Sequence, residues 1–257
     1  MTSLHQTAIV HETAQIGENV TIGPYAVIEE DVIVGDGTTI ASHACLTKGT
    51  RIGKDCRIFQ GAVLGNVPQD LKFENEKTEL FVGDRTTIRE YVTLNRGTSD
   101  TCKTVVGSDC LLMAYAHVAH DCVIGDHVIL ANSVGIAGHV HVGDWASIGG
   151  LTGVHQFTHI GCHSFIGGLS RVTKDVPPYI LAMGEPLRFA GLNRVGLQRR
   201  GFSSEQLQNL KNAYRILFQS KMNLSQALAK LPQEIEITED VQRIIDLIKD
   251  STRGVLR

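Results

Sequence analysis

Three residues that could take part in catalysis, His120, Gly138 and Gln156, follow one another at intervals of eighteen residues. Imidazole is the side chain whose ordinary pKa suits proton transfer near pH 7, so His120 is a candidate general base. Asp121 comes directly after it and is placed to fix the tautomer of the ring. The backbone N–H of Gly138 is a candidate oxyanion donor. Further histidines are expected to gather on the same edge of the molecule: His117, His139 and His155.

Two reaction classes fit this group of histidines. Three imidazoles from neighbouring copies of such a chain could hold zinc, as they do in the β-helical carbonic anhydrases. One imidazole could instead act as the base of an acyl transfer, with the N–H of Gly138 on the oxyanion. Arg199 and Arg200 favour the second class, because guanidinium groups bind phosphates and a carbonic anhydrase needs none. A binding scaffold without catalysis is the third alternative, and it requires His120 to be replaceable without loss.

The elements that must position these residues follow from a period of six. Every sixth residue from Val106 to Val172 is aliphatic, and the same register extends back to Val10. Helices repeat every 3.6 residues and free strands every two, so neither explains this spacing. The pattern is typical of a hexapeptide β-helix, in which three short strands close a triangular coil of eighteen residues. We expect roughly nine to ten coils, about 45 Å long at a strand spacing of about 4.8 Å.

Two interruptions of the register predict loops. Among the positions of this six-residue register from Val10 to Val172, only Asp70, Glu76 and Asp100 are not aliphatic. We therefore expect the chain to leave the coil and return near residues 66–80 and again near 98–104. Loops on a rigid scaffold often carry function, although a tolerated insertion would give the same pattern.

A change of pattern near residue 190 predicts a second domain. The β-helix is expected to occupy residues 1–190 and a small helical domain residues 191–257. Pro177 and Pro178 are expected to end the parallel ladder, because proline cannot donate a strand hydrogen bond. Beyond them the apolar spacing becomes helical, with a capping box from Ser203 to Gln206. Helices are predicted after Ser203, over 223–231 and over 239–248.

Composition and charge exclude several classes of protein. The 257 residues are 42% hydrophobic and 5% aromatic, which fits a core of stacked aliphatic side chains. A net charge of −3 argues against nucleic acid as the main partner, because phosphates recruit clustered cations. No segment is long and apolar enough to span a bilayer and no signal peptide is evident, so we expect a cytoplasmic protein. The six cysteines form no C-x-x-C pair and are expected to be reduced, and Cys56, Cys110 and Cys122 to be buried.

Several motifs together resemble one enzyme family, the UDP-N-acetylglucosamine 3-O-acyltransferases of lipid A biosynthesis. The resemblance covers essentially the whole chain. It rests on the segments Gln69–Lys72 (QDLK), Arg96–Thr98 (RGT), His117–Cys122 (HVAHDC), Ala137–Val140 (AGHV), Val154–Phe157 (VHQF), Asp175–Tyr179 (DVPPY), Arg199–Phe202 (RRGF) and Ser251–Gly254 (STRG). It implies a left-handed parallel β-helix, a homotrimer with active sites in the clefts between subunits, and no metal or organic cofactor.

The resemblance also implies a role for each candidate residue. His120 takes the proton from the sugar 3-hydroxyl, Asp121 supports it, and the N–H of Gly138 stabilises the oxyanion as the thioester of an acyl carrier protein is attacked. Gly168 resembles the floor of the acyl groove, where glycine leaves room for the longer R-3-hydroxyacyl chains that the family uses. Family positions that contact substrate or assist catalysis match Asp70, Lys72, His117, His139 and His155. Positions near the uridine diphosphate match Gln156, Asn193, Arg199 and Arg200.

Two residues depart from the family pattern. The family often has histidine where this chain has Asn95, and often has glutamate in the segment that contains Val195. The second difference leaves open how the nucleotide is held. It also leaves room for other acceptors, namely an acylated glucosamine nucleotide or a 3-amino sugar nucleotide, which would yield an amide. The expected reaction is transfer of an R-3-hydroxyacyl group to the 3-hydroxyl of UDP-N-acetylglucosamine.

Overall fold

Short strands follow one another from Ser3 to Val172, and the chain turns a corner after each of them. The computed structural model describes residues 1–257. In chain order the strands are β1 (Ser3–Leu4), β2 (Ile9–Val10), β3 (Gln15–Ile16), β4 (Thr21–Ile22), β5 (Val27–Ile28), β6 (Ile33–Val34), β7 (Thr39–Ile40), β8 (Cys45–Leu46), β9 (Thr50–Ile52), β10 (Arg57–Ile58), β11 (Val63–Asn66), β12 (Glu79–Val82), β13 (Thr87–Ile88), β14 (Thr93–Asn95), β15 (Lys103–Val106), β16 (Leu111–Leu112), β17 (His117–Val118), β18 (Val123–Ile124), β19 (Ile129–Leu130), β20 (Gly135–Ile136), β21 (His141–Val142), β22 (Ser147–Ile148), β23 (Gly153–Val154), β24 (His159–Ile160), β25 (Phe165–Ile166), β26 (Arg171–Val172), β27 (Ile180–Met183) and β28 (Arg188–Leu192).

Each strand from β1 to β23 pairs in parallel with the strand three places further along the chain, which produces three sheets. Sheet A starts at β1 and has eleven strands, sheet B starts at β2 and has nine, and sheet C starts at β3 and has eight. Val118 pairs with Ile136, so one coil contains eighteen residues where no loop intervenes. The predicted fold class, a left-handed parallel β-helix followed by helices, is confirmed.

Three corners join the sheets, and we name each one for the two sheets that it connects in chain order: corner AB, corner BC and corner CA. Each regular corner has two turn residues, and the second has a positive φ, as at Asp121 (59°), His139 (60°) and Phe157 (62°) of corner BC. Asp, Asn and His are the residues other than glycine that adopt this conformation most readily. Because the corner repeats in every coil, side chains at equivalent positions lie one above another.

The core is the column of inward-pointing aliphatic side chains. Val118, Ile136 and Val154 are at most 3% exposed, and full burial of such a side chain stabilises a fold by about 1.5–3 kcal/mol. Cys56, Cys110 and Cys122 are buried, as predicted. The corner residues contribute little to this stack, so their identities are free to serve other purposes.

Both predicted loops are present, and both leave the β-helix at corner BC. Loop 67–78 connects β11 to β12, and loop 96–102 connects β14 to β15. The second loop begins two residues earlier than predicted, because β14 ends at Asn95. The two insertions therefore lie at the corner that carries His120, one and two coils before it.

The prediction that Pro177 and Pro178 end the parallel ladder is wrong for sheet A. Beyond the prolines β27 pairs in parallel with β25, and β28 then pairs antiparallel with β27. The ladder continues because the prolines lie at the turn before β27, and the flanking N–H groups of Val176 and Tyr179 still donate to the preceding coil. Strand β28 also crosses the domain boundary expected at residues 190 and 191.

Four helices follow: α1 (Arg194–Arg199), α2 (Ser204–Gln219), α3 (Leu224–Glu234) and α4 (Glu239–Asp250). The last three were predicted, and the capping box of Ser203 and Gln206 is confirmed. Helix α1 was not, since six residues are too few to show a helical period. None of the helices has the length and apolar content needed to cross a membrane. The C-terminal segment returns to the β-helix, where Val255 bridges Asp175.

Candidate active site

His120, Gly138 and Gln156 form the predicted column at corner BC. The N–H of His139 donates to the carbonyl of His120 at 3.1 Å, and that of Phe157 donates to the carbonyl of Gly138 at 3.2 Å. The imidazole of His120 lies across the face of Gly138, since a Cβ on Gly138 would be 2.7 Å from Cε1 and 2.8 Å from Nε2. Only glycine leaves space for the ring at this position.

Asp121 is a buried carboxylate that fixes the tautomer of His120. It is 1% exposed, and its Oδ2 lies 2.7 Å from Nδ1 of His120. Thr98 donates from its N–H at 3.0 Å and from its hydroxyl at 2.7 Å, and the hydroxyl of Thr101 donates as well. Burial raises the pKa of Asp121, but the hydrogen bonds from Thr101, Thr98 and His120 outweigh it and hold the pKa below its usual range.

The ionised state of Asp121 determines which atom of His120 is basic. An ionised carboxylate can only accept hydrogen bonds, so Nδ1 of His120 carries the proton. The lone pair is therefore on Nε2, at the edge of the ring beside Gly138. The N–H of Gly138 makes no hydrogen bond within the chain. A base and an unpaired donor thus lie side by side, as a hydroxyl attacking a carbonyl requires.

His139 forms a second wall of this site. Its ring is perpendicular to that of His120, with centroids 5.2 Å apart, and it stacks on Phe157 at 4.6 Å. Its Nε2 lies 3.7 Å from a carboxylate oxygen of Asp121 and 3.7 Å from one of Asp100. His139 is thereby placed next to the base and between two negative charges.

A groove on the outer face of sheet B leads away from His117. The ring of His117 shares a hydrogen bond with the hydroxyl of Thr93 at 2.7 Å, and burial, together with the nearby imidazole of His120, lowers the pKa of His117. The next two coils carry Gly135 and Gly153 in the same column, where a Cβ would meet nothing within 4 Å. The groove has a volume of about 390 Å³, and exposed His155 also lines it.

Loop 67–78 places Asp70 and Lys72 at corner BC, and the carboxylate of Asp70 accepts the N–H of Lys72 at 3.0 Å. The loop is held at its base by Asn95, a 4% exposed side chain whose amide donates to the carbonyl of Val67 at 2.9 Å. The guanidinium of Arg96 lies 5.4 Å from the ring of Phe73 in the same loop. Sequence reasoning noted Asn95 only as a departure from a family pattern.

Comparisons with known proteins agree with this geometry. A family model described as UDP N-acetylglucosamine O-acyltransferase, domain 2, matches residues 175–256, and one for bacterial transferase hexapeptides matches 13–48 and 103–138. An acyl-[acyl-carrier-protein]–UDP-N-acetylglucosamine O-acyltransferase from Chlorobaculum parvum is 58% identical over 255 residues, which cover 99% of this chain and 97% of the relative. This chain belongs to that acyltransferase family. A relative of the same name from Halorhodospira halophila is 45% identical over the full length of both chains.

Solved structures of the family have the same fold. The UDP-N-acetylglucosamine acyltransferase from Bacteroides fragilis superposes with a TM-score of 0.97 at 44% identity, covering 99% of this chain and all of the other. A family member from Acinetobacter baumannii gives a TM-score of 0.95 at 44% identity, over 98% and 99% of the two chains.

Three of the residues that resemble nucleotide-binding positions of the acyltransferase family lie away from corner BC. Asn193 and Arg200 flank α1, and Arg199 is its last residue. All three line a cavity of about 650 Å³ against the apolar outer face of sheet A. The fourth, Gln156, lies in the column of His120 and is exposed. A single chain therefore does not bring the arginines to the base.

Gly168 also lies away from His120. It is a turn residue of corner AB, between β25 and β26, and is exposed. The 48 residues that separate it from His120 correspond to 2.7 coils, and the fractional part moves the position to a different corner as well as along the axis. Within one chain the two residues are on different edges of the β-helix.

The zinc alternative can be compared with the contacts of the same residues. Ligand atoms of His120, Asp121 and His139 all lie within 4.8 Å of one another. However, both oxygens of Asp121 already accept hydrogen bonds, from Thr98, Thr101 and His120. An ion at this place would have to break that buried network. Membership of the acyltransferase family and the unpaired N–H of Gly138 favour the acyl-transfer alternative.

Proposed function

We propose that this protein transfers an R-3-hydroxyacyl group from acyl carrier protein to the 3-hydroxyl of UDP-N-acetylglucosamine, a step of lipid A biosynthesis. The names of the relatives from Chlorobaculum parvum and Halorhodospira halophila state an acyl-[acyl-carrier-protein] donor and UDP-N-acetylglucosamine as the acceptor of an O-acyl transfer, which supports this proposal. The observation that carries the proposal is the arrangement of His120, with Asp121 on one nitrogen of its ring and the free N–H of Gly138 beside the other.

The proposed reaction begins at Nε2 of His120, which takes the proton of the sugar hydroxyl as that oxygen attacks the thioester carbonyl. The negative charge on the carbonyl oxygen is stabilised by the N–H of Gly138. Asp121 stabilises the imidazolium that forms, as a buried carboxylate does for a catalytic histidine. When the carbon–sulfur bond breaks, the proton passes from the imidazolium to the departing thiolate. The products are the ester and the free thiol of the carrier.

A homotrimer would complete the active site. Asn193, Arg199 and Arg200 border sheet A, whereas His120 is at corner BC, so substrate can meet both groups only if a second copy supplies one of them. We propose that corner BC of one subunit faces sheet A of its neighbour. Chains with Arg199→Ala and Arg200→Ala, mixed with chains carrying His120→Ala, should then recover activity that neither variant has alone. No recovery in verified mixed trimers would contradict a shared site.

Two measurements decide the proposal. The first is the turnover of the variant His120→Ala. The second is mass spectrometry of the wild-type product formed from UDP-N-acetylglucosamine and from the 3-amino sugar nucleotide. Turnover should fall by about 10²–10⁴-fold, because that is the usual contribution of a positioned base. The melting temperature should change little, since the side chain is outside the aliphatic stack. The wild-type product should be an ester of UDP-N-acetylglucosamine, and an amide of the 3-amino sugar nucleotide would favour the alternative acceptor. Near wild-type turnover in the variant would refute the mechanism.

The roles of Arg199 and Arg200 can be assigned in the same assay. If they hold the nucleotide, replacing either with alanine should mainly raise the KM for the sugar nucleotide. An effect confined to the KM for the acyl carrier protein would instead assign them to carrier docking, since an acidic carrier is attracted to exposed arginines.

A further inference from the structure

We propose that His163 positions the nucleotide-binding end of the active site by holding both ends of helix α1. This inference rests on the proposed function, because it assigns to His163 the placement of Asn193 and Arg200. His163 itself is in none of the motifs that resemble the acyltransferase family. It belongs to corner CA, between β24 and β25.

Two hydrogen bonds connect His163 to α1. The side-chain amide of Asn193 donates to the carbonyl of His163 at 2.9 Å, and Nη1 of Arg200 lies 3.3 Å from Nδ1 of the ring. Asn193 is the N-cap of α1, where its side chain also accepts the N–H of Gly196, and Arg200 is the C-cap. A helix of six residues is not stable by itself. Its placement therefore depends on contacts of this kind at its two ends.

An aromatic column fixes the plane of the His163 ring. The ring stacks between Trp145 and Tyr179, with centroids 6.2 and 5.6 Å away, and the ring of Phe202 stands steeply inclined to it with centroids 5.2 Å apart. The guanidinium of Arg200 also lies over the indole of Trp145 at 5.0 Å. Such a cation–π contact is stronger where water is excluded from it. Arg200 is thus held from two directions, one of which is the nitrogen of His163.

The electrostatic environment keeps His163 a hydrogen-bond acceptor. Burial lowers its pKa to about 4; the positive charges of Arg200 and Arg243 act in the same direction, while Asp240 and Asp144 oppose them. The ring is therefore neutral near pH 7. Because arginine has only donors, Nδ1 must carry the lone pair and the proton is on Nε2. Protonation would place a second donor and a second positive charge against the guanidinium.

The test replaces the acceptor while keeping the aromatic stack. His163→Phe removes Nδ1, and the positive φ of 57° at this position is tolerable for phenylalanine because Phe157 has a φ of 62° at corner BC. We expect the KM for UDP-N-acetylglucosamine to rise about tenfold, with kcat and the KM for the acyl carrier protein within twofold of wild type. His163→Asn retains an acceptor near Nδ1 and should restore most of the affinity.

The matched control is His127→Phe. His127 stacks on the other side of Trp145, with centroids 3.9 Å apart, but makes no hydrogen bond to Asn193 or Arg200, both of which bond to His163. This variant should leave the KM for the sugar nucleotide unchanged. Equal KM values for wild type and His163→Phe would overturn the inference, as would an asparagine variant as weak as the phenylalanine one.

Hydrogen exchange separates this inference from the proposed function. The amides of α1 should exchange faster in His163→Phe than in wild type or His127→Phe, whatever the substrate proves to be. If the wild-type protein fails to use UDP-N-acetylglucosamine, the proposed function is refuted. The exchange data would still test whether His163 holds helix α1. Unchanged exchange in α1 would refute the positioning role even in an active enzyme.

Discussion

The N–H of Ser99 donates to the carboxylate of Glu76 at 3.1 Å, and this bond joins the two loops of corner BC. Loop 67–78 carries Asp70 and Lys72, which we place on the substrate side. Loop 96–102 carries the threonines that bind Asp121. The contacts that hold loop 67–78 are consequently continuous with those that hold His120, the proposed base.

The clamp at the base of loop 67–78 can be tested with Asn95→Ala. The change leaves the carbonyl of Val67 without its donor, and losing one such bond costs about 0.5–1.5 kcal/mol. We expect the KM for the sugar nucleotide to rise severalfold with little change in kcat, as measured by steady-state kinetics. Asn95→His, which keeps a donor, should lie closer to wild type. A KM for the sugar nucleotide that is the same in Asn95→Ala, Asn95→His and wild type would show that the hydrogen bond to Val67 does not affect substrate binding.

The support of Asp121 can be tested with Thr98→Val. Loss of the hydroxyl donor should raise the pKa of Asp121 and weaken its hold on His120, so kcat should fall about tenfold, equivalent to about 1.4 kcal/mol. The pKa of Asp121 is lower in the folded state, so its contribution is present above about pH 4 and is lost as pH falls through the folded pKa. Urea titrations at pH 7 should show a less stable variant.

Thr86→Val is the control for that loss of a hydroxyl. Thr86 is fully buried at corner CA, where its hydroxyl donates to the carbonyl of Gly107 at 2.8 Å. Thr86→Val should lower the free energy of unfolding by about as much as Thr98→Val does, without affecting kcat. Equal losses of kcat in the two variants would assign the effect to general destabilisation.

Gly138→Ala should displace the ring of His120, because the new methyl group would lie 2.7 Å from Cε1. Turnover should fall by about 10²-fold or more, approaching that of an enzyme without its base. The melting temperature should be nearly unchanged, because the atoms that the new methyl group meets belong to the side chain of His120, which can rotate away, and not to the backbone. An active Gly138→Ala enzyme would argue against the observed placement of the base.

The column of His120 and Gly138 could be predicted because the inward aliphatic residues set the register, and residues eighteen apart must then coincide. The loops could be located because insertions interrupt that register. The partners of Asp121 could not, since Thr98 and Thr101 lie in a loop whose path no period describes. Counting coils also missed the corner of Gly168, because axial distance alone ignores rotation about the axis. Helix α1 and the contacts of His163 depend on packing between domains, which leaves no periodic signal.

The attachment of the C-terminal segment should depend on pH. Asp175 is buried; burial raises its pKa, but hydrogen bonds from His159 and Ser251 outweigh it and lower the pKa. Asp175 in turn raises the pKa of His159. The carboxylate stabilises the fold above about pH 4, and charged His159 stabilises it below about pH 6.5, an effect lost as pH rises through the raised pKa.

Asp175→Asn should therefore lower the melting temperature most between about pH 4 and 6.5, where both charges are present. Loss of hydrogen bonds to a charged group costs about 1.5–3 kcal/mol. The difference from wild type should narrow as the pH falls through the lowered pKa of Asp175, because the protonated carboxyl group is then uncharged like asparagine. Calorimetry across this range checks the window, and a difference independent of pH would contradict it.

Gly168→Met tests whether corner AB limits the acyl chain. In a trimer this corner would have to approach the His120 of another subunit, and a methionine there would shorten the groove. Competition among carrier proteins with different acyl chains should then show a shift to shorter chains. Each buried methylene contributes about 0.8 kcal/mol, close to a fourfold preference per carbon. The first atom of the new side chain would lie 3.0 Å from the carbonyl oxygen of Gly150, so a small local shift is expected. An unchanged chain preference in a folded variant would exclude Gly168 as the limit.

Because Val118 pairs with Ile136, eighteen residues further on, the length of an insertion or deletion decides whether the residues after it keep their corners. Removing eighteen residues ahead of loop 67–78 would delete one whole coil, and every later residue would keep its corner and its neighbours. Removing six would also preserve the inward aliphatic pattern, yet it would rotate all later residues by one corner relative to the coils before them. Length could thus change in steps of one coil while the site at corner BC stayed intact.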